Sequence, residues 1–249
     1  MADNTNERHS RTEMVLGEGA ISSLASTRVA IFGIGGVGGY ALEALVRCGV
    51  GEIDVIDADD VSKSNLNRQI LATEHTVGKR KVDAAKERCE SIDKSVRINP
   101  IYSFYSPENA DEFDLSKYDY IIDAIDTLKS KCELIFQANK AGVPIISSMG
   151  TGGKLDPTTL EISDIYKTSV CPLARAVRTE LRKKGIKKLK VVYSKEEAAK
   201  GTVIDTHGER TLHRAPGSAI FVPAAAGLIL AKEVVIDLIN KKRNTEDLE

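Results

Sequence analysis

Apolar and polar positions fall into blocks along this chain, and the block lengths switch between those of strands and those of helices. Residues 29–32 form a short, wholly apolar run, as a parallel strand buried on both faces requires. Residues 40–48 follow with good helix formers. Residues 52–57 alternate as a second strand and end in acid. Val82, Ala85, Cys89 and Ile92 recur at helical spacing inside a helix predicted over 78–92. Three more strands are expected at 96–102, 120–124 and 143–148. The helix between the last two, 128–140, is stopped by Gly142 and Pro144. Strands alternating with such helices predict βαβ units with right-handed crossovers, hence an α/β fold built on a doubly wound, mostly parallel sheet.

The ends of the chain are less regular. Residues 1–10 read as flexible, leading into a short helical pattern over 14–24 that Gly17 and Gly19 interrupt. Residues 59–76 carry no strong period and read as a long functional loop with one helical turn. Further strands at 159–166 and 190–193 extend the sheet in mixed orientation, with a helix over 172–184 between them. A polar loop over 200–216 holds His207 and His213, which are weak candidates for substrate contact. The segment 218–230 is almost wholly apolar but falls short of the ~20 residues a bilayer span needs, so it reads as a buried closing helix. No linker or repeat divides the chain, so 1–249 is one expected domain, with 150–249 its substrate-facing part.

Composition narrows this little. A hydrophobic fraction of 42% and a charged fraction of 29% are ordinary for a soluble domain. The net charge of −1 means that any nucleic-acid binding must come from a local patch. The 4 cysteines contain no C-x-x-C, which argues against a zinc knuckle or a disulfide framework. The polar, acidic first residues lack a signal-peptide core, so a cytoplasmic location is expected.

The chemistry starts at Gly33-Ile34-Gly35-Gly36-Val37-Gly38, a G-x-G-x-x-G between strand and helix. Backbone amides of such a turn, with the helix N-terminus behind them, hold phosphate. The motif alone does not separate NAD, FAD, ATP or a methyl donor. Asp57, about twenty positions beyond Gly38, suits a carboxylate on ribose hydroxyls. Arg68 and Lys81 add cations beyond what a dinucleotide needs and point to ATP. Asp126, just past an apolar strand, is the candidate for Mg²⁺, a hard ion seeking oxygen; capping the next helix is its other reading.

These segments, together with Asp57-Ala58-Asp59-Asp60-Val61, Ser64-Asn65-Leu66-Asn67-Arg68-Gln69, Gly78-Lys79-Arg80-Lys81 and Asp123-Ala124-Ile125-Asp126, resemble the ThiF/MoeB/HesA family of ubiquitin-activating-type enzymes. The match runs from about residue 8 to 150 in order and with family spacing. The resemblance implies a Rossmann-like fold and adenylation of a carboxylate with ATP and Mg²⁺. It implies that Gly33, Gly35, Gly36, Gly38, Asp57 and Asp59 cradle the nucleotide, Asp57 holding ribose. Asn65, Arg68 and Lys81 would hold phosphates and Asp126 the metal. Arg11 resembles the arginine that family dimers lend to the neighbouring subunit, which implies a homodimer and adds Arg11 to the catalytic set of Arg68, Lys81 and Asp126.

Gly150-Thr151-Gly152-Gly153-Lys154-Leu155-Asp156-Pro157, Lys167-Thr168, Pro172-Leu173-Ala174 and Val192-Tyr193-Ser194-Lys195-Glu196 resemble the branch that dehydrates threonylcarbamoyladenosine in tRNA. That branch implies activation of the threonyl carboxylate, ring closure and a tRNA partner. A cysteine desulfurase or sulfur acceptor is a further partner the resemblance allows. The rival is adenylation of a ubiquitin-like or sulfur-carrier protein, whose enzymes usually carry the two C-x-x-C pairs this chain lacks. The residues add their own hint of RNA. Arg175, Arg178, Arg182, Lys183, Lys184, Lys187, Lys188 and Lys190 face a single acid, Glu180, with Arg175, Arg178 and Arg182 on one helical face. Cys171, at the N-cap position before Pro172, is read either as a nucleophile or as a partly buried capping thiol. Cys48, Cys89 and Cys132 are expected in or near the core.

Overall fold

The computed structural model describes residues 4–199 and 217–246, so the 200–216 loop with His207 and His213 lies outside the described residues. The chain begins with α1 (Asn4–Leu16) and α2 (Ala20–Ala25), then alternates β1 (Arg28–Phe32), α3 (Gly38–Arg47), β2 (Glu52–Asp57), α4 (Lys81–Ile92) and β3 (Arg97–Tyr102). It continues through β4 (Tyr120–Asp123), α5 (Leu128–Lys140), β5 (Ile145–Ser148), β6 (Leu160–Asp164), α6 (Pro172–Lys183), β7 (Lys190–Ser194) and α7 (Phe221–Glu246). All strands join one seven-stranded sheet in the order β3-β2-β1-β4-β5-β7-β6. Every neighbouring pair is parallel except β6 and β7, which are antiparallel and give the mixed edge the sequence predicts.

Burial of both sheet faces explains the unbroken apolar run of β1. Val29 and Ile31 face the layer of α3, α4 and α7, where Leu42, Leu45, Val82 and Leu230 pack. Ala30 and Phe32 face the opposite layer, against Leu134 and Ala138 of α5. Each of these β1 side chains is 0% exposed.

Two ends of the chain differ from expectation. The closing helix is 26 residues long rather than confined to 218–230, because Val234, Val235, Leu238 and Ile239 continue the buried stripe past the apolar run. It lies directly on α3 at Gly227, where a Cβ would stand 2.3 Å from the Val37 carbonyl oxygen, so only glycine permits that approach. At the other end, helix α1 starts at Asn4, where flexibility was expected. The anchor is distant in sequence: Arg8 pairs with Asp93, and the buried His9 Nε2 lies 3.1 Å from Asp93 Oδ2. Among the described residues no helix is long and apolar enough to cross a membrane.

Burial raises the Asp93 carboxyl, but bonds from Ser95, Arg8 and His9 outweigh it and hold the group at about 2. A depressed carboxylate stabilises the fold above its unfolded value and loses that contribution as pH falls through its folded one. Asp93→Asn is therefore expected to cost on the order of 2 kcal/mol at neutral pH. In urea titrations the gap between wild type and variant should close between about pH 4 and pH 2.

Candidate active site

The glycine turn bridges the carboxyl end of β1 and the first turn of α3. A Cβ on Gly38 would stand 1.8 Å from the Gly33 carbonyl oxygen, so glycine is required for α3 to begin this close to the strand. Gly33 sits at φ +85°, a left-handed conformation that glycine adopts at little cost. Asp57, at the end of β2, fastens the turn. Its Oδ2 accepts the Ile34 amide at 2.9 Å, and its Oδ1 accepts the Asp59 amide at 2.9 Å.

In front of the turn a cavity of about 650 Å³ opens along the carboxyl ends of the parallel strands, where open α/β sheets bind ligands. Gly33, Gly35, Gly36, Asp57, Asp59, Asn65, Arg68, Lys81 and Asp126 all line it. Two sequence candidates do not. Gly38 serves packing rather than contact, and Arg11 is exposed on α1, away from this chain's cavity.

The cations are held before any ligand arrives. Lys81, 5% exposed, places its Nζ 2.6 Å from Asp59 Oδ2 and 3.8 Å from Asp57 Oδ1. Arg68 donates from Nη1 to the Ser64 carbonyl and to Asn67 Oδ1, both at 2.9 Å. Asn65 Oδ1 accepts the Ser62 amide at 3.1 Å, closing a capping box around the helical turn of this loop. Asp126 is different. It is exposed at the cavity and makes no hydrogen bond or ion pair among the described residues; the N-cap of α5 is Thr127, so the capping reading of Asp126 falls away.

Sequence reasoning missed the floor of the site. Lys131, 0% exposed, donates to Asp123 Oδ2 at 2.7 Å, Ser147 Oγ at 3.2 Å and the Ser148 carbonyl at 3.0 Å. The same Asp123 accepts the Ile125 amide at 3.1 Å and the Ser147 hydroxyl. One ammonium thus ties β4 to β5 beneath the two loops, 124–127 and 149–152, that wall the cavity. Its only sequence signal was a lysine among apolar helix positions. Gln69 was also overlooked: it lines the cavity 7% exposed, and its Oε1 has no hydrogen-bond partner. An acceptor buried without a donor is costly, and a donor on a bound ligand would satisfy it.

Cys171 is the N-cap of α6, 3% exposed, and makes no side-chain capping bond. Cys89 and Cys132 are buried as expected, and burial pushes their thiols up to about 12 and about 11. Arg178 corrects the expected basic stripe. It turns inward and donates to the Ile165 and Thr168 carbonyls at 3.2 and 3.0 Å, and to the Thr168 hydroxyl.

A doubly wound sheet with this turn, these cations and an unengaged carboxylate at its carboxyl edge defines a nucleotide-binding α/β protein equipped for several phosphate charges. The chain belongs to the ThiF family, whose pattern matches residues 8–246. It is 42% identical over 238 residues to tRNA threonylcarbamoyladenosine dehydratase of Bacillus subtilis, covering 92% of this chain and 94% of that one. The Escherichia coli dehydratase is 37% identical over 182 residues, 73% of this chain and 68% of that protein. A crystal structure of E. coli TcdA in complex with ATP superposes with a TM-score of 0.87 at 30% identity, covering 98% of each chain. The adenylyltransferase and sulfurtransferase MOCS3 of Arabidopsis thaliana is 36% identical over 131 residues, 53% of this chain but only 28% of that protein.

Removing one partner of a fully buried ion pair strands the other, at a typical cost of about 3–5 kcal/mol. Lys131→Met is expected to show a loss of that size in urea unfolding.

Proposed function

We propose that this protein is an ATP-dependent dehydratase that cyclises threonylcarbamoyladenosine in tRNA. The observation that carries the reading is the placing of Arg68, Lys81 and an unengaged Asp126 around one cavity at the glycine turn, on a chain similar over nearly its whole length to a dehydratase solved with ATP. In this reading the turn's amides receive phosphate, and Asp57 offers oxygen to the ribose. The threonyl carboxylate attacks the α-phosphorus of ATP; the acyl–phosphate bond forms as pyrophosphate leaves. Arg68 and Lys81, given up by Ser64 and Asp59, stabilise the departing charge. The modification's own carbamoyl group then attacks the activated carbonyl and AMP leaves, so the base has lost one water. That attack is intramolecular, and positioning supplies much of its rate.

The donor set fits Mg²⁺. Among the described residues no three His, Cys, Asp or Glu side chains cluster for a metal, whereas a single exposed carboxylate beside ATP phosphates suits an ion held mainly through its substrate. Asp126 would hold it, and the bound metal would neutralise phosphate charge. Arg11 supports a homodimer: it is exposed on α1 beside Met14 and Val15, which are 82% and 84% exposed and would be covered by a second copy. A cytoplasmic location is consistent with a tRNA substrate. The buried or half-buried cysteines do not favour a sulfur relay through this chain. Adenylation of a carrier-protein terminus is the weaker reading, since the likeness to MOCS3 spans about half of this chain.

Incubation with ATP, Mg²⁺ and tRNA carrying threonylcarbamoyladenosine should yield a nucleoside lighter by one water in mass spectrometry; an unchanged nucleoside overturns the reading. Arg68→Ala and Asp126→Ala should each lower kcat/KM by on the order of a hundredfold or more, while Cys171→Ser retains most activity. Arg11→Ala should impair turnover while sedimentation still reports a dimer.

A further inference from the structure

Helix α6 meets the cavity at one end and carries surplus charge along the rest. Leu173, in its first turn, lines the cavity. Ala174, Val177 and Leu181 are at most 1% exposed and fill the core beneath it. The apolar face is therefore already spent, and the helix cannot lie in a bilayer interface, which needs that face.

Much of the charge is accounted for within the fold. Arg178 is locked on backbone oxygens as described. Lys183 pairs with Glu180 at 2.7 Å, Lys184 with Glu133 at 2.7 Å and Lys190 with Asp237 at 2.6 Å. What is left over is a separate set. Arg175, Arg182, Lys187 and Lys188 are exposed and make no ion pair among the described residues. Arg182 is not loose: its guanidinium stands 5.5 Å from the centroid of the Tyr166 ring, and the Tyr166 hydroxyl is tied to the Ile186 carbonyl. A shallow hollow of about 430 Å³ lies there, lined by Tyr166, Arg182, Gly185, Ile186 and Lys187. A stacked guanidinium is pre-ordered, so it loses less freedom when its edge grips a phosphate. On a chain whose net charge is −1, four uncompensated cations within fourteen residues of α6 and the segment after it are a local feature rather than a sample of a basic surface.

We propose that α6 and the turn after it form the surface on which the backbone of the RNA substrate docks. Phosphates meet Arg175, Arg182, Lys187 and Lys188, and the strand passes over Leu173 into the cavity. Arg175 and Arg182 are separated by about 10 Å of helix rise, so they engage different phosphates. The surface rests on the dehydratase reading, because that reading supplies the RNA.

The test is a quadruple variant, Arg175→Ala with Arg182→Ala, Lys187→Ala and Lys188→Ala, in the full chain. Retention of tRNA on filters is followed from about 50 to 200 mM salt, alongside steady-state dehydration. Each lost phosphate contact lowers the slope of log affinity against log salt by about 0.7–0.9. The expected result is a slope shallower by about 2 or more, a KM for tRNA raised at least about tenfold, and an unchanged kcat and KM for ATP. Lys183→Ala with Lys184→Ala, which removes only internally paired cations, should change the slope by less. A quadruple variant with wild-type slope and KM, on an enzyme that still dehydrates tRNA, overturns the surface alone. Equal competition by phosphatidylglycerol vesicles overturns it in favour of a membrane. A wild-type protein that neither binds nor dehydrates tRNA overturns the dehydratase reading and the surface with it. Should the quadruple variant unfold, Arg182→Ala and Lys187→Ala singly must each reduce the slope, or the surface is rejected.

Discussion

The close approach of α3 to the end of β1 is the constraint on which the rest depends. With no Cβ at Gly38, the first helical turn settles against the Gly33 carbonyl, and Gly33, Gly35 and Gly36 line the cavity above the sheet. The same closeness governs the far side of α3, where Gly227 lets α7 press on the Val37 carbonyl. The C-terminal helix is thereby brought into backbone contact with a strand–turn–helix unit nearly two hundred residues earlier in the chain. Asp57 then holds the turn through the Ile34 amide, so a carboxylate that lines the cavity also orders the glycine loop beside it.

Charge is deployed in two ways around this opening. Lys131 and Asp123 are buried without exposure and fully bonded, as a buried pair must be to offset its desolvation; they tie two strand ends together and do not line the cavity. Lys81 and Arg68 line the cavity itself, held by an exposed carboxylate and a backbone carbonyl. The contrast separates architecture from chemistry among residues that look alike in composition.

Helix α6 repeats that division on one element. Its apolar face completes the core with Val177 and Leu181, Arg178 closes the loop before it through Thr168, and Arg175 and Arg182 stay exposed without an ion pair among the described residues. The sequence could show only that the segment is basic; it could not show that Arg178, Lys183, Lys184 and Lys190 are already engaged.

The sheet and most of the site were legible in the chain itself. A fully buried parallel strand needs an unbroken apolar run, and a phosphate-binding turn needs glycines at set spacing, so both leave local marks; Asp57, Arg68, Lys81 and Asp126 stood in recognisable segments beside them. Order in α1 was not legible, because its anchor, Asp93, lies on the far side of two βα units. Nor was the length of α7, whose stripe beyond Leu230 is buried only because α2, α3 and the sheet come together beneath it. Lys131 and Gln69 escaped for the same reason: a buried polar side chain takes its meaning from partners that only the folded chain brings near. Local periodicity and turn chemistry determined the elements and the cavity's main residues, whereas tertiary structure alone decided which charges are spent on the fold and which remain for a ligand.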